Sequence, residues 1–121
     1  MELKEQINKA IGAHGAWKAR LRAAIDTGSS DFKPEIVQTD NQCEFGKWLH
    51  NEGNAEIRKM PVYKTVVQYH AEFHKEAARV LTLAVSGKKD EAEEAMKAGS
   101  KFAIVSSSLT STMMEWRNNV D

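Results

Sequence analysis

Residues 61–87, with the sequence PVYKTVVQYHAEFHKEAARVLTLAVSG, decide the fold. Apolar and aromatic side chains recur here at steps of three and four residues, the spacing of one face of an α-helix. Pro61 suits the first turn of a helix, and Gly87 suits the position after its end. The stretch therefore predicts a long amphipathic helix. Its apolar face contains Tyr63, Val66, Val67, His70, Phe73, His74, Ala77, Leu81 and Ala84.

The sequence before this stretch predicts two further helices. An apolar stripe runs from Leu3 to Ile25, and Gly28 is placed to end that helix as a C-terminal cap. Residues 29–39 are polar and without a clear period, which predicts a loop. Asp40 then suits the N-cap of a short helix that ends near Gly53, with one further turn at residues 55–60. The stripe consists of Leu3, Ile7, Ile11, His14, Trp17, Leu21 and Ile25, and the short helix presents Phe45, Trp48 and Leu49.

The sequence after Gly87 predicts one more long helix, beginning at about Lys89. Three long amphipathic helices and an additional short one, which carries the cysteine, predict an all-α fold, an antiparallel four-helix bundle. We interpret residues 1–121 as one domain. The inward face predicted for the last helix is Ala92, Ala95, Met96, Gly99, Phe102, Ala103, Ser106, Leu109, Met113 and Trp116.

The composition excludes several classes of protein. The chain has 121 residues, with 17 Lys and Arg against 17 Asp and Glu, so it has no basic excess for nucleic-acid binding. No apolar run approaches the roughly 18 residues of a membrane helix. The charged N-terminus, MELKEQINKA, does not resemble a signal peptide, and a single cysteine permits no internal disulfide. We therefore expect a cytoplasmic location.

Three histidines fall on the predicted apolar faces, together with a nearby cysteine. A lone histidine at such a position is commonly a core residue held by one hydrogen bond. His70 and His74, however, lie four residues apart on one helix and can point at a common atom. His14 and Cys43 can complete a closed tetrahedral set of the kind that zinc takes. His50 is a rival to Cys43, but it lies about 10 Å further along the short helix. Cys43 is preferred because a helix N-terminus favours a thiolate.

Three segments resemble the chemoreceptor zinc-binding domain family of bacteria. They are HGAW at residues 14–17, CEFGKWL at 43–49 and HAEFH at 70–74. The resemblance implies a cytoplasmic helical bundle in which His14, Cys43, His70 and His74 hold one zinc ion. It also implies a homodimer, attached to a chemoreceptor or a diguanylate cyclase as output domain. A role in sensing zinc or oxidants such as hypochlorous acid follows from the same resemblance.

Other residues have predicted roles around this site. Trp17, Phe45 and Trp48 are placed to shield it from water, although aromatic residues at helical spacing are equally typical of a plain core. Asp40 and Glu72 are candidates to orient the histidines, with a capping or surface role as the simpler alternative. For the homodimer we expect contacts through the long first and fourth helices. Two apolar residues near the C-terminus, Trp116 and Val120, suggest the surface.

The leading functional hypothesis is a zinc-dependent sensory domain in which oxidation of Cys43 is the signal. The alternatives are a sensor of zinc concentration through reversible binding and a purely structural zinc site in a dimerisation module. An enzyme is not expected, because catalytic zinc keeps an open coordination position and four protein ligands leave none. A di-iron centre would need several inward carboxylates, and c-type haem would need a Cys-x-x-Cys-His segment; the sequence offers neither.

Overall fold

The computed structural model describes residues 2–39, 43–50 and 55–119. These residues form helices and no strand, in agreement with the predicted all-α class. None of these helices combines the length and the apolarity needed to cross a bilayer. The helices are α1 (Glu2–Gly15), α2 (Trp17–Thr27), α3 (Pro34–Val37), α4 (Glu44–Leu49), α5 (Ala55–Arg58), α6 (Pro61–Val85), α7 (Lys89–Met96) and α8 (Lys101–Asn118).

Helix α6 is the centre of the fold and has the predicted bounds. Pro61 lies in its first turn, and its apolar face packs against α2, α3, α7 and α8. Val66, Ala77 and Val80 on this face are fully buried. Burial of this face removes a continuous apolar stripe from water, so α6 determines where its neighbours can pack.

The predicted first helix is interrupted only locally. Between α1 and α2 the main chain turns at Ala16, yet the Ala16 N–H still donates to Gly12 O at 3.0 Å. Gly28 follows α2 in the left-handed conformation, with φ at 75°, and its N–H donates to Ala24 O, which confirms the predicted cap. The two helices therefore continue one apolar stripe.

The predicted fourth helix is divided, which corrects the single helix expected from Lys89 onward. Lys97 ends α7 in an extended conformation, and Gly99 adopts a φ of 87°. The Ser100 hydroxyl then accepts a hydrogen bond from the Ala103 N–H and caps α8. A left-handed residue cannot continue a right-handed helix, so the chain restarts after it.

Two other expectations need correction. Residues 29–39 are not all loop, because α3 occupies Pro34–Val37. Trp116 is only 2% exposed, and its Nε1–H donates to Met60 Sδ at 3.1 Å, so this residue belongs to the core and not to a pairing surface. The exposed apolar side chains of α8 are Ile104 and Met114. Val120 lies outside the described residues.

Individual contacts show which parts of the helices are neighbours. Near the end of α8, Arg117 donates to Asn8 Oδ1 on α1 at 3.0 Å. The Tyr63 hydroxyl, near the start of α6, donates to Leu49 O at the end of α4 at 2.7 Å. These contacts hold α4 along the first half of α6, where residue 43 can reach the histidines.

Candidate metal centre

Four side chains from three parts of the chain converge inside the fold. His14 comes from the last turn of α1, Cys43 precedes α4, and His70 and His74 lie one turn apart on α6. One nitrogen or sulfur atom from each residue lies within 4.8 Å of all the others. The three histidines are buried and the cysteine is half-buried. The structure thus brings together the four residues that the sequence analysis predicted as metal ligands.

Four of the six distances within this group are close to those of a tetrahedral ligand set. His70 Nε2 lies 3.1 Å from His14 Nε2 and 3.1 Å from His74 Nε2. Cys43 Sγ lies 3.4 Å from His70 Nε2 and 3.5 Å from His74 Nε2. A zinc tetrahedron with ordinary bond lengths has edges of about 3.3 Å between nitrogens and about 3.6 Å between nitrogen and sulfur. These four separations agree with these edges to a few tenths of an ångström, and all four atoms lie within 4.8 Å of one another.

Main-chain hydrogen bonds fix which ring nitrogens face the centre. His14 Nδ1 donates to Ala10 O at 2.8 Å, and His74 Nδ1 donates to Val37 O at 3.0 Å. A carbonyl oxygen only accepts, so both rings carry their proton on Nδ1 and direct an Nε2 lone pair inward. Lone pairs that face one another repel unless a proton or a cation lies between them. The donor set therefore fits a metal cation.

Burial keeps two of the histidines neutral. Desolvation lowers the pKa of His14 to about 4, although its hydrogen bond to Ala10 acts in the opposite direction. Desolvation and the neighbouring His14 and His74 lower the pKa of His70 to about 2. His70 Nδ1 is buried and has no hydrogen-bond partner within the described part of the chain. Neutral imidazoles are the form that binds metals, so both rings are ready to act as ligands at pH 7.

Cys43 is the N-cap of α4, which corrects the expectation that Asp40 caps this helix. The Gly46 N–H donates to Cys43 Sγ at 3.3 Å. A hydrogen bond at a helix N-terminus favours the thiolate over the thiol. The capping position therefore aims the sulfur at His70 and His74 and supports its charge at the same time.

Aromatic rings enclose the histidines. Phe45 meets the His14 and His70 rings edge-on, with centroids 5.8 and 5.2 Å apart. Phe73, which the sequence analysis placed only on the helix face, lies 5.2 Å from His14 and 5.7 Å from His74. The sequence could have indicated this role, because Phe73 lies between His70 and His74 on the same helix. The other two predicted shielding residues lie around this wall: Trp48 stacks on Phe45, and Trp17 lies beside His14 at the edge of a cavity.

The remaining predicted site residues that the structure describes, Glu72 and His50, are not part of the group of four. Asp40 falls outside the described residues. Glu72 is half-buried on α6, and the hydrogen bonds found on the histidine Nδ1 atoms lead to main-chain carbonyls of Ala10 and Val37. His50 is exposed at the opposite end of α4 from Cys43 and is not part of the group of four. No residue type marks a main-chain acceptor, so the sequence could not identify these two carbonyls.

Comparison with known proteins agrees with this geometry. The family model of the chemoreceptor zinc-binding domain matches residues 14–81, a range that contains all four converging side chains. The diguanylate cyclase DgcZ of Escherichia coli (strain K12) is 31% identical over 83 residues, which cover 65% of this chain and 27% of DgcZ. The chain thus aligns with about a quarter of that relative. No solved structure matches. With more than half of its length matched by the family model, the chain belongs to the chemoreceptor zinc-binding domain family.

Proposed function

We propose that this chain is a zinc-binding regulatory domain of bacterial signalling in which His14, Cys43, His70 and His74 hold one zinc ion. The observation that carries the proposal is the convergence of three Nε2 atoms and one Sγ within 4.8 Å of one another, with four of the six separations close to the edges of a zinc tetrahedron. One thiolate and three neutral imidazoles leave a net charge of +1 on a zinc centre. A zinc ion bound there would stabilise the Cys43 thiolate and cross-link α1, α4 and α6.

Metal content of purified variants tests this assignment. We expect about one zinc per chain in the unaltered protein and a large loss in His70→Ala and in His74→Ala. Cys43→Ala and His14→Ala should also lose zinc, although three remaining ligands can retain part of it. His50→Ala is the matched control, because His50 is exposed and outside the group, and it should keep full occupancy. Full occupancy in both α6 variants would overturn the proposed ligand set.

The same proposal includes the arrangement of the bundle. Arg117 on α8 contacts Asn8 on α1, and Trp116 contacts Met60 just before α6, so the end of α8 lies beside the early parts of α1 and α6. Val37 contacts His74, and Leu49 contacts Tyr63, so the segment with α3 and α4 runs opposite to α6. These contacts support an antiparallel four-helix bundle in which the short helices α3 and α4 together take the place of the second helix.

We further propose that oxidation of Cys43 is the signal that the domain transmits. Cys43 is the one cysteine of the sequence, and this residue is half-buried whereas the three histidines are buried. With hypochlorous acid, the sulfur would give up two electrons, form a bond to oxygen and become a sulfenic acid, while chloride leaves. The product is a poorer ligand and a poorer cap than the thiolate, so α4 would lose its link to the histidines.

A stoichiometric oxidation experiment separates this mechanism from its alternatives. The zinc-loaded protein is treated with one equivalent of hypochlorous acid, and modified residues, zinc release and helix content are followed together. We expect oxidation of Cys43 before Met113 and before Met114, which is 41% exposed. Oxidation of methionines with Cys43 intact and zinc retained would overturn the redox role. The zinc-level sensor or the structural dimerisation module would then take its place.

Burial of three of the four proposed ligands specifically favours the structural alternative, because buried ligands exchange metal slowly. The reversible zinc affinity of the reduced protein distinguishes the cases. A picomolar or tighter constant fits a permanent or redox-operated site, whereas a constant near cellular free zinc fits a zinc sensor. Four protein ligands would leave no open position for a substrate, so we propose a regulatory role and no catalysis.

The proposed partners follow from the family. A signalling output domain, of the chemoreceptor or cyclase type, would be regulated in cis or in trans, and a second copy of the chain would form a homodimer. The relative DgcZ is named as a diguanylate cyclase, and that activity is its own. A cytoplasmic location suits a site that depends on a reduced cysteine.

A further inference from the structure

A cavity of about 110 Å³ reaches the centre from the side of α1 and α4. Cys43 and His14 form part of its lining, whereas neither His70 nor His74 does. The cavity has room for about three water molecules or for one small ion. It therefore provides a route by which a small solute can reach the half-buried sulfur of Cys43.

The charges around this cavity are unbalanced. Among the described residues, the exposed Lys9 on α1 and Arg20 on α2 line it, together with one acidic residue, the exposed Glu44. Within the described part of the chain, neither Lys9 nor Arg20 takes part in a salt bridge. Within the described ranges, two cations against one carboxylate leave an excess of positive charge before any metal is counted. An uncompensated positive lining attracts anions.

Arg20 is held in place at this cavity by aromatic rings. Its guanidinium carbon lies 5.1 Å from the centroid of Trp17 and 5.1 Å from that of Phe32. Stacking of this kind leaves the edge of the guanidinium free to donate hydrogen bonds.

We propose that this cavity binds a small monovalent anion beside the Cys43 sulfur, with Lys9 and Arg20 as the residues that attract and hold it. The cavity selects by charge which reagents reach the sulfur, and anionic ones are favoured over neutral ones of the same shape. The two cations belong to the chain itself, so the site does not depend on the proposed zinc ion, whose +1 centre would add to the attraction.

Alkylation of Cys43 by two reagents that differ in charge tests the proposal. Iodoacetate carries a negative charge and iodoacetamide does not, and in both cases the sulfur displaces iodide from carbon. The rate with iodoacetate is divided by the rate with iodoacetamide, both measured by mass spectrometry. This ratio is then divided by the same ratio for a small free thiol. The experiment uses both the zinc-loaded and the metal-free reduced protein. If bound metal blocks both reagents, the ratio for the metal-free protein is the one that tests the proposal.

We expect the normalised ratio to fall about fivefold when Lys9→Gln and Arg20→Gln are combined, since two charges near the sulfur are removed. Sodium thiocyanate should slow iodoacetate in the unaltered protein more than in this variant. The pair Lys18→Gln and Arg22→Gln is the matched control, because both residues are exposed on α2 and do not line the cavity. Lys9→Glu with Arg20→Glu should reverse the preference.

An unchanged ratio in the Lys9 and Arg20 variant, or an equal fall in the control pair, would overturn the anion site. Equal protection by thiocyanate in both proteins would do the same. These outcomes are independent of zinc content, so the anion site and the proposed zinc-binding function can fail separately.

Discussion

His74 on α6 donates a hydrogen bond from Nδ1 to the main-chain carbonyl of Val37, 3.0 Å away on the single-turn helix α3. The bond fixes the tautomer of the histidine and the rotation of its ring. Loss of a partner of this kind typically weakens metal affinity by about 10- to 100-fold. Helix α3 is therefore part of the centre, although it contributes no candidate ligand.

Truncation of Val37 tests this role of α3. Val37 is 6% exposed, so Val37→Ala removes packing that holds its own carbonyl in place, and we expect zinc affinity to fall about tenfold. Competition with a chelating dye measures the affinity. The neighbour Ile36 is 51% exposed, and Ile36→Ala should leave the affinity unchanged. Equal effects of the two substitutions would contradict a specific role for the Val37 carbonyl.

The metal-free protein should lose stability as the pH falls from about 7 to 4. An unfolded histidine gains its proton near pH 6.5, whereas burial lowers the pKa of folded His14 to about 4 and that of His70 further. The unfolded state therefore binds more protons within this window, and the free energy of unfolding decreases with decreasing pH. Urea titrations at several pH values measure the slope. His14→Gln should reduce it by up to about 1.4 kcal/mol per pH unit, and an unchanged slope would contradict the assignment.

Glu76 is expected to contribute more to stability than the superficially similar Glu94. Glu76 is 7% exposed, accepts two hydrogen bonds from Arg79 at 2.9 and 3.0 Å, and lies 3.9 Å from Lys101 Nζ at the start of α8. Glu76→Gln should cost about 1 to 3 kcal/mol, because a buried charge-assisted network is lost. Glu94 pairs with Lys97 in the open, and Glu94→Gln should cost less than about 0.5 kcal/mol. Denaturant midpoints that shift equally would contradict this difference.

Substitution of alanine at two of the glycines should change the stability of the fold in opposite directions. Gly99 has a φ of 87°, so Gly99→Ala places a side chain in the left-handed region at a cost of about 1 to 2 kcal/mol. Gly12 lies within α1, where an added Cβ meets nothing within 4 Å. Gly12→Ala should therefore stabilise the helix by about 0.5 to 1 kcal/mol. Thermal unfolding of both variants checks the sign, and a neutral Gly99→Ala would argue against a break between α7 and α8.

The proposed homodimer is expected to use the outer face of α8. Residues 102–114 contain no charged side chain, and Ile104 and Met114 on this helix are 57% and 41% exposed. Light scattering at tens of micromolar should give twice the chain mass. Ile104→Glu should shift the mass toward the monomer, whereas Ile36→Glu, at an equally exposed site on α3, should not. A monomer mass for the unaltered protein would contradict the dimer.

Whether a structural feature could be predicted depends on how clearly the residues in the sequence indicate it. Helix α6 was predictable because Pro61 and a long apolar period mark it. The four converging side chains were predictable because imidazole and thiol groups are rare and chemically distinct. The break before α8 was missed because the apolar stripe continues across it, and only Gly99 followed by Ser100 marked the restart. The carbonyl of Val37 could not be predicted, because every residue has one.

The positions of the converging side chains along the chain have a consequence for unfolding. His14 and His70 are 56 residues apart, and Cys43 and His70 are 27 apart. A metal held by them would close these loops in the manner of a multiple cross-link, which restricts the unfolded chain. The closed loops end at His74, while α8 is attached to α6 by other means, such as the Phe73 and Phe102 rings, 5.6 Å apart. Removal of the metal would therefore weaken the attachment of α1 and α4 to α6, and we expect α6 and α8 to be the last helices to open.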